Sequence, residues 1–206
     1  MTNLGSLCSG VGGLDLAAIH FFDATLIWVS EDDPSAAEVL AHRFPEALNL
    51  GDLRTVKQEL VPAVDILTCG FPCGPVAPIG KQHGTEDPRW ICPDIVEFID
   101  AMTQPPTTVI FENVVGLLSN NGGATVREFL GSIAELGFTL RWGVVQAAEA
   151  QAPHRRSRWF CVATHADGSQ LQRPRESQQL ERSPDPQHRE GLAAVLAAPI
   201  HRPSTP

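Results

Sequence analysis

From Met1 to His165, short apolar runs alternate with stretches whose apolar residues recur at helical spacing. Apolar runs of four to eight residues, bounded by Gly, Pro, Asn or Asp, are the pattern of buried strands. Strands are therefore predicted at Asn3–Leu7, Thr25–Ser30, Val64–Cys69, Thr108–Phe111, Thr139–Val145 and Trp159–Thr164. Helices are predicted between them: one opening out of the glycine-rich stretch 8–13, then Pro34–Phe44, Pro93–Met102 and Ala124–Leu136. Asp33 offers a carboxylate to the orphan amides of the second helix, and Pro34 fits its first turn because no N–H is needed there. Gly137 is placed to stop the last one. Strands alternating with helices build βαβ units, so the chain is an α/β protein with a parallel sheet.

After His165 the pattern stops. Residues 167–190 are rich in Gln, Arg, Ser, Glu and Pro with almost no periodic apolar positions, the composition of a disordered linker or tail. A brief helix is predicted at Gly191–Ile200, before a Pro-rich end. The chain thus divides into one domain, 1–165, and a polar tail, 166–206. No apolar run approaches the ~18 residues of a membrane helix, and no basic patch precedes an apolar run at the N-terminus, so neither membrane nor signal peptide is expected. Five cysteines (8, 69, 73, 92 and 161) are odd in number and scattered, which argues against a disulfide framework or a metal site and for a reducing cytoplasm. The formal charge of −9 weighs against strong unaided binding to nucleic acid, which draws its affinity from Lys and Arg on phosphates.

Candidate chemistry begins at Cys8-Ser9-Gly10-Val11-Gly12-Gly13, after the first strand. Glycines let the backbone turn tightly and let a ligand approach without a Cβ in the way. Glu31 ends the second strand, where a carboxylate can accept from ribose hydroxyls, and Asp52 lies beyond the next helix, placed to face an adenine amino group. Taken alone, the segment is either a nucleotide-binding loop or a tight strand-to-helix turn. Next, Gly70-Phe71-Pro72-Cys73 sets a thiol at a strand-to-loop junction, and Glu112-Asn113-Val114 closes the strand Thr108–Phe111 with a carboxyl group. Both then sit at neighbouring strand ends of one sheet. Gly80-Lys81-Gln82-His83-Gly84, Glu86-Asp87-Pro88-Arg89 and the basic turn Pro153-His154-Arg155-Arg156-Ser157-Arg158 complete the set.

In this order, these segments resemble the DNA cytosine-5 methyltransferases, and the resemblance covers nearly all of residues 1–165. It implies a doubly wound, mostly parallel, Rossmann-like methyltransferase sheet that binds S-adenosyl-L-methionine. The implied cofactor contacts are Leu7, Cys8, Gly10, Gly12, Gly13, Glu31, Asp32, Asp52, Leu53 and Pro72. Cys73 aligns with the nucleophile that attacks C6 of a cytosine flipped from double-stranded DNA, and a thiolate suits this as both nucleophile and leaving group. Glu112 matches the acid that holds N3. Arg158 is expected at the cytosine O2, Arg156 at Glu112 or the loop, and Lys81 and Arg89 at phosphates.

The sequence departs from the family at several points. Ser6 stands for a common Asp, Cys8 for an aromatic that stacks on adenine, and His154 for Gln. Gly74, Val76 and Ala77 replace a Gln, an aromatic and a Ser after the nucleophile. Nothing in 166–206 resembles the target recognition domain or motifs IX and X. Three readings follow: the catalytic half of a split enzyme completed by a second polypeptide, a truncated product, or a regulatory protein that kept the fold without turnover. An NAD-dependent oxidoreductase would account for neither Phe-Pro-Cys nor the arginine pair. An RNA substrate would use the same catalytic set.

Overall fold

The computed structural model describes residues 1–72 and 90–165. Cys73, Gly74, Val76, Ala77, Lys81, Arg89 and the tail 166–206, including the brief helix expected at 191–200, lie outside the described residues. The strands are β1 (Thr2–Leu7), β2 (Ala24–Ser30), β3 (Leu48–Asn49), β4 (Ile66–Cys69), β5 (Thr108–Val114), β6 (Phe138–Gln146) and β7 (Ser157–His165). The helices are α1 (Gly13–Phe22), α2 (Pro34–Arg43), α3 (Cys92–Asp100) and α4 (Ala124–Glu135). One seven-stranded sheet has the order β3-β2-β1-β4-β5-β7-β6. The first five are parallel, and β7 runs antiparallel to both β5 and β6. This is the α/β sheet the alternating pattern predicts, in the doubly wound, mostly parallel form the resemblance implies.

Two apolar clusters cover the two faces. α1 and α2 bring Ala18 and Leu40 onto Leu4, Leu26, Val29 and Ile66. α3 and α4 bring Ile95, Phe98, Phe129 and Ile133 onto Trp28, Leu67, Val109, Phe111 and Trp159. Adjacent residues Trp28 and Val29 go to opposite faces, as strand alternation requires. The helix ends follow local chemistry. Asp33 Oδ1 accepts from the Ala36 N–H at 2.9 Å, capping α2 as expected, and Gly137, at φ 91°, follows the end of α4.

The observed boundaries differ most at β5. It was expected to end at Phe111 with Glu112 closing it, yet it continues to Val114. β4 pairs with β5 only as far as Cys69–Phe111, while β7 goes on pairing through Glu112–Phe160, Asn113–Trp159 and Val114–Arg158. The antiparallel neighbour thus carries β5 past the end of β4 and lifts Glu112 just beyond it. β3 had no pattern to betray it: two residues are too few for a period, and Leu48 is largely exposed.

Candidate active site

The carboxyl ends of β1, β2 and β4 open onto a cavity of ≈ 410 Å³. In doubly wound sheets this is where ligands bind. Its walls are Cys8 and Gly10 after β1, Ser30, Glu31 and Asp32 at the end of β2, Gly51 to Arg54 after β3, Gly70 and Pro72 after β4, and Ile91 before α3. Of the ten expected cofactor contacts, seven meet here: Cys8, Gly10, Glu31, Asp32, Asp52, Leu53 and Pro72. Leu7 does not; it is fully buried in the core. Gly12 and Gly13 form the start of α1 and do not line the cavity, Gly12 being its N-cap at φ 81°.

Glu31 does more than line the cavity. Its Oε2 accepts from the Gly10 N–H at 2.7 Å and its Oε1 from the Asp33 N–H at 2.9 Å, tying the glycine loop to the end of β2. Asn49, which carried no sequence signal, braces this wall. Its side chain accepts from the Glu31 and Gly51 N–H groups (3.2 and 3.0 Å) and donates to the Glu31 carbonyl (3.1 Å). Ser30 Oγ donates to the Gly51 carbonyl at 2.7 Å. Asp52 caps the short 3-10 turn Leu53–Thr55 through the Arg54 N–H (3.0 Å), and Arg54 pairs with Asp94 of α3 at 3.2 Å. The rim carries three carboxylates, Glu31, Asp32 and Asp52, and one guanidinium already engaged by a carboxylate.

Beside the cavity stands a second group. Glu112 Oε1 lies 2.8 Å from Arg158 Nε, an ion pair about one-quarter exposed on each side. Its Oε2 turns the other way, 3.9 Å from where a Cβ on Gly70 would stand. Asn113 donates to the Phe71 carbonyl at 3.2 Å and so holds the Gly70-Phe71-Pro72 segment against the end of β5. Cys73 follows directly on that segment.

The ion pair at Glu112 is made by the other arginine. The partner of Glu112 is Arg158, not Arg156, and the sheet register explains it. Glu112 faces Phe160 across the β5–β7 ladder, so Arg158 is its diagonal neighbour on the same face. Arg156 precedes β7, is exposed, and its N–H donates to His154 Nδ1 at 3.4 Å.

Three of the remaining cysteines are ordinary core thiols. Burial, reinforced by hydrogen bonding with Cys8, pushes Cys69 well above the usual thiol value; burial does the same to Cys92 and takes Cys161 up to about 12. A thiol held protonated is neither nucleophile nor metal ligand. Among the described residues no cluster of His, Cys, Asp or Glu could hold a metal ion, and no helix is long and apolar enough to cross a membrane.

The model of the C-5 cytosine-specific DNA methylase family matches residues 2–202. The chain belongs to this family. Type II methyltransferase M.BsuFI of Bacillus subtilis is 32% identical over 162 residues, which cover 78% of this chain and 39% of that protein. Type II methyltransferase M.HhaI of Haemophilus parahaemolyticus is 31% identical over 162 residues, 78% of this chain and 48% of that protein. The chain therefore spans half or less of the length of these cytosine-5 methylases. The crystal structure of S. pombe Dnmt2 methyltransferase shares the fold, with a TM-score of 0.65 at 21% identity over 80% of this chain and 51% of that one. The Spodoptera frugiperda DNMT2 mutant structure does so at a TM-score of 0.67 and 22% identity over 86% and 54%. Within this family, then, the chain supplies the sheet, the cavity and the Glu112–Arg158 pair.

Proposed function

We propose that this chain is the cofactor-binding and catalytic part of a DNA (cytosine-5)-methyltransferase acting on double-stranded DNA. The observation that carries the reading is the meeting, beside the cavity, of the Glu112 carboxyl group with the Gly70–Pro72 segment that leads into Cys73.

The cavity suits S-adenosylmethionine. A Cβ at Gly10 or Gly51 would meet nothing within 4 Å, so these wall positions leave room for a ligand. The ≈ 410 Å³ volume falls within the ~300–1,000 Å³ of small-molecule sites. Glu31, Asp32 and Asp52 favour a cationic ligand with hydroxyl and amino donors. A pyrophosphate would be repelled, and the Gly10 N–H it would want already donates to Glu31. S-adenosylmethionine, when bound, supplies an electrophilic methyl group.

The chain's own residues do the rest. A target base stacked in the duplex is out of reach and must be flipped out. The Cys73 thiolate adds to C6, and the C5=C6 electron pair moves to C5 as Glu112 engages N3 through a proton on its carboxyl group. Arg158 holds Glu112 through Oε1, leaving Oε2 for the base. Once C5 is methylated, a base removes its proton, the double bond re-forms and the thiolate leaves. Thiol chemistry of this kind belongs in a reducing cytoplasm.

The formal charge of −9 favours a second polypeptide that carries the target recognition domain and motifs IX and X. The test is trapping on duplex DNA containing 5-fluorocytosine with S-adenosylmethionine, since fluorine cannot leave as a proton does. A covalent adduct that disappears in Cys73→Ser is expected, strengthened by the product of a neighbouring reading frame. An adduct with the chain alone would remove the need for a partner. None under either condition, from folded protein and varied DNA, would leave a cofactor-binding remnant without turnover.

A further inference from the structure

β3 is only two residues long, and its pairing with β2 stops at Val29–Asn49, followed by one bond from the Leu50 N–H to the Val29 carbonyl at 2.8 Å. Gly51 then takes a left-handed φ of 75°, which ends the extended chain. Glu31 lies two residues past Val29 and so has no β3 residue to pair with.

The Asn49 side chain fills that place. Its Oδ1 accepts from the Glu31 N–H at 3.2 Å and its Nδ2 donates to the Glu31 carbonyl at 3.1 Å, the two bonds that a further strand rung would supply. A carboxamide can do this because it carries an acceptor and a donor on separate atoms of one plane; a carboxylate cannot donate. Among the described residues, both hydrogen bonds of the Glu31 main chain go to Asn49. The amide is itself fixed: the Gly51 N–H donates to Oδ1 at 3.0 Å, and Gly51 is held independently by Ser30 Oγ on its carbonyl at 2.7 Å.

The Glu31 carboxylate has about four acceptor sites. Oε2 takes the Gly10 N–H and Oε1 the Asp33 N–H, which leaves acceptor capacity on each oxygen. Two acceptors side by side on a cavity wall suit two neighbouring hydroxyls, as on a ribose. We propose that Asn49 is a positioning residue for cofactor binding: its carboxamide replaces a missing strand rung, holds the Glu31 main chain and so presents the Glu31 carboxylate to the ribose hydroxyls. The proposal rests on the cavity being the S-adenosylmethionine site.

Calorimetric titration of the full chain with S-adenosylhomocysteine, and with an analogue lacking both ribose hydroxyls, tests it; thermal melting confirms folding. Asn49→Ala should weaken S-adenosylhomocysteine about 3- to 10-fold, the effect of lost hydrogen bonds. The analogue should change by less than about twofold, because the group that Asn49 positions has nothing on it to grip. A merely structural role would cost both ligands equally. In a Glu31→Ala background the Asn49→Ala loss should shrink, since the two act as one unit. Equal losses on the two ligands, native affinity in folded Asn49→Ala, or an undiminished loss in the Glu31→Ala background overturns the proposal while leaving the cofactor site standing. So does equal affinity of the unsubstituted chain for both ligands. Binding of neither ligand by the unsubstituted chain overturns the site as well. Should Asn49→Ala fail to fold, Asn49→Asp, which keeps an acceptor and loses the donor, decides by the same comparison.

Discussion

Gly10 and Gly12 lie two residues apart in one loop, both at positive φ (54° and 81°), yet a methyl group at each should do opposite things. At Gly10, which lines the cavity, an added Cβ meets nothing within 4 Å. At Gly12 it would stand 2.6 Å from the Phe44 ring and 3.1 Å from Leu40. A left-handed backbone costs a non-glycine residue about 1–2 kcal/mol, and alanine recovers ~0.4–1 kcal/mol through its stiffer unfolded chain. Gly10→Ala should therefore lose about 1 kcal/mol, a fall in Tm of about 2–4 °C for a chain of this size. Gly12→Ala adds an overpacking cost of ~1–3 kcal/mol, for a total near 3 kcal/mol and a fall of about 6–12 °C. Binding should rank the other way. Gly10→Ala should weaken S-adenosylhomocysteine at least about tenfold, a 1.4 kcal/mol loss, while any folded Gly12→Ala retains most of its affinity. Melting and calorimetric titration of the same preparations measure both. Native affinity in Gly10→Ala, or a larger melting loss there than in Gly12→Ala, would refute the assignment of this cavity.

Arg158→Met should cost less than about 1 kcal/mol of stability, because the pair it breaks is partly solvated; its adduct formation on 5-fluorocytosine DNA should nevertheless slow about tenfold or more, and an unchanged rate would detach Arg158 from the reaction. Glu112→Gln should slow the same step by ~10²–10⁴-fold, the usual worth of proton transfer by a positioned group; a rate near native would mean a hydrogen bond to N3 suffices. For Asp15, burial raises the folded carboxyl group above its ordinary value of 3.8, so its contribution is full below that pH and is lost as pH rises through the folded value. Urea unfolding should accordingly show Asp15→Asn gaining on the native chain as pH rises above 3.8, and a pH-independent difference would contradict that. Iodoacetamide at neutral pH should leave Cys69, Cys92 and Cys161 unlabelled until the chain is unfolded, which peptide mapping can check.

The fold was legible because buried parallel strands are short apolar runs, and six of the seven strands have them. β3 could not be seen: it consists of two residues whose only mark is pairing with Trp28 and Val29. The end of β5 was missed for a related reason. Asn113 has the look of a turn residue, and only pairing with β7, forty-odd residues later in the chain, makes it strand. At the site, seven of the residues that line the cavity were expected from their chemistry, whereas those that brace its walls were not. Asn49 and Asp15 look like any surface polar residue in sequence. Asn49 joins the Glu31 and Gly51 backbone and Asp15 accepts from Thr68 of β4, and that information is purely three-dimensional. Leu7, Gly12 and Gly13 sit beside cavity residues in sequence without lining the cavity, Leu7 being buried in the core and Gly12 and Gly13 starting α1.

The pairing of Glu112 with Arg158 bears on the proposed action of Glu112. A carboxyl group has two oxygens, and an acid that must present a proton to N3 needs one oxygen reserved for it. Arg158 approaches Oε1 through Nε, and its NH1 group donates to the Ser157 carbonyl at 2.9 Å, so the guanidinium is fixed from two sides. That leaves Oε2 facing Gly70, where the absence of a side chain keeps the approach open. Asn113, the next residue along β5, faces the opposite side of the sheet and holds the Phe71 carbonyl. Successive residues of one strand thus point to opposite faces, which in the proposed mechanism aims Glu112 at the base and Asn113 at the segment that leads to Cys73. Had β5 ended at Phe111, neither direction would be fixed. The two extra rungs supplied by β7 place Glu112 and Asn113 on a paired strand, and rigid elements hold reacting groups more closely than loops do.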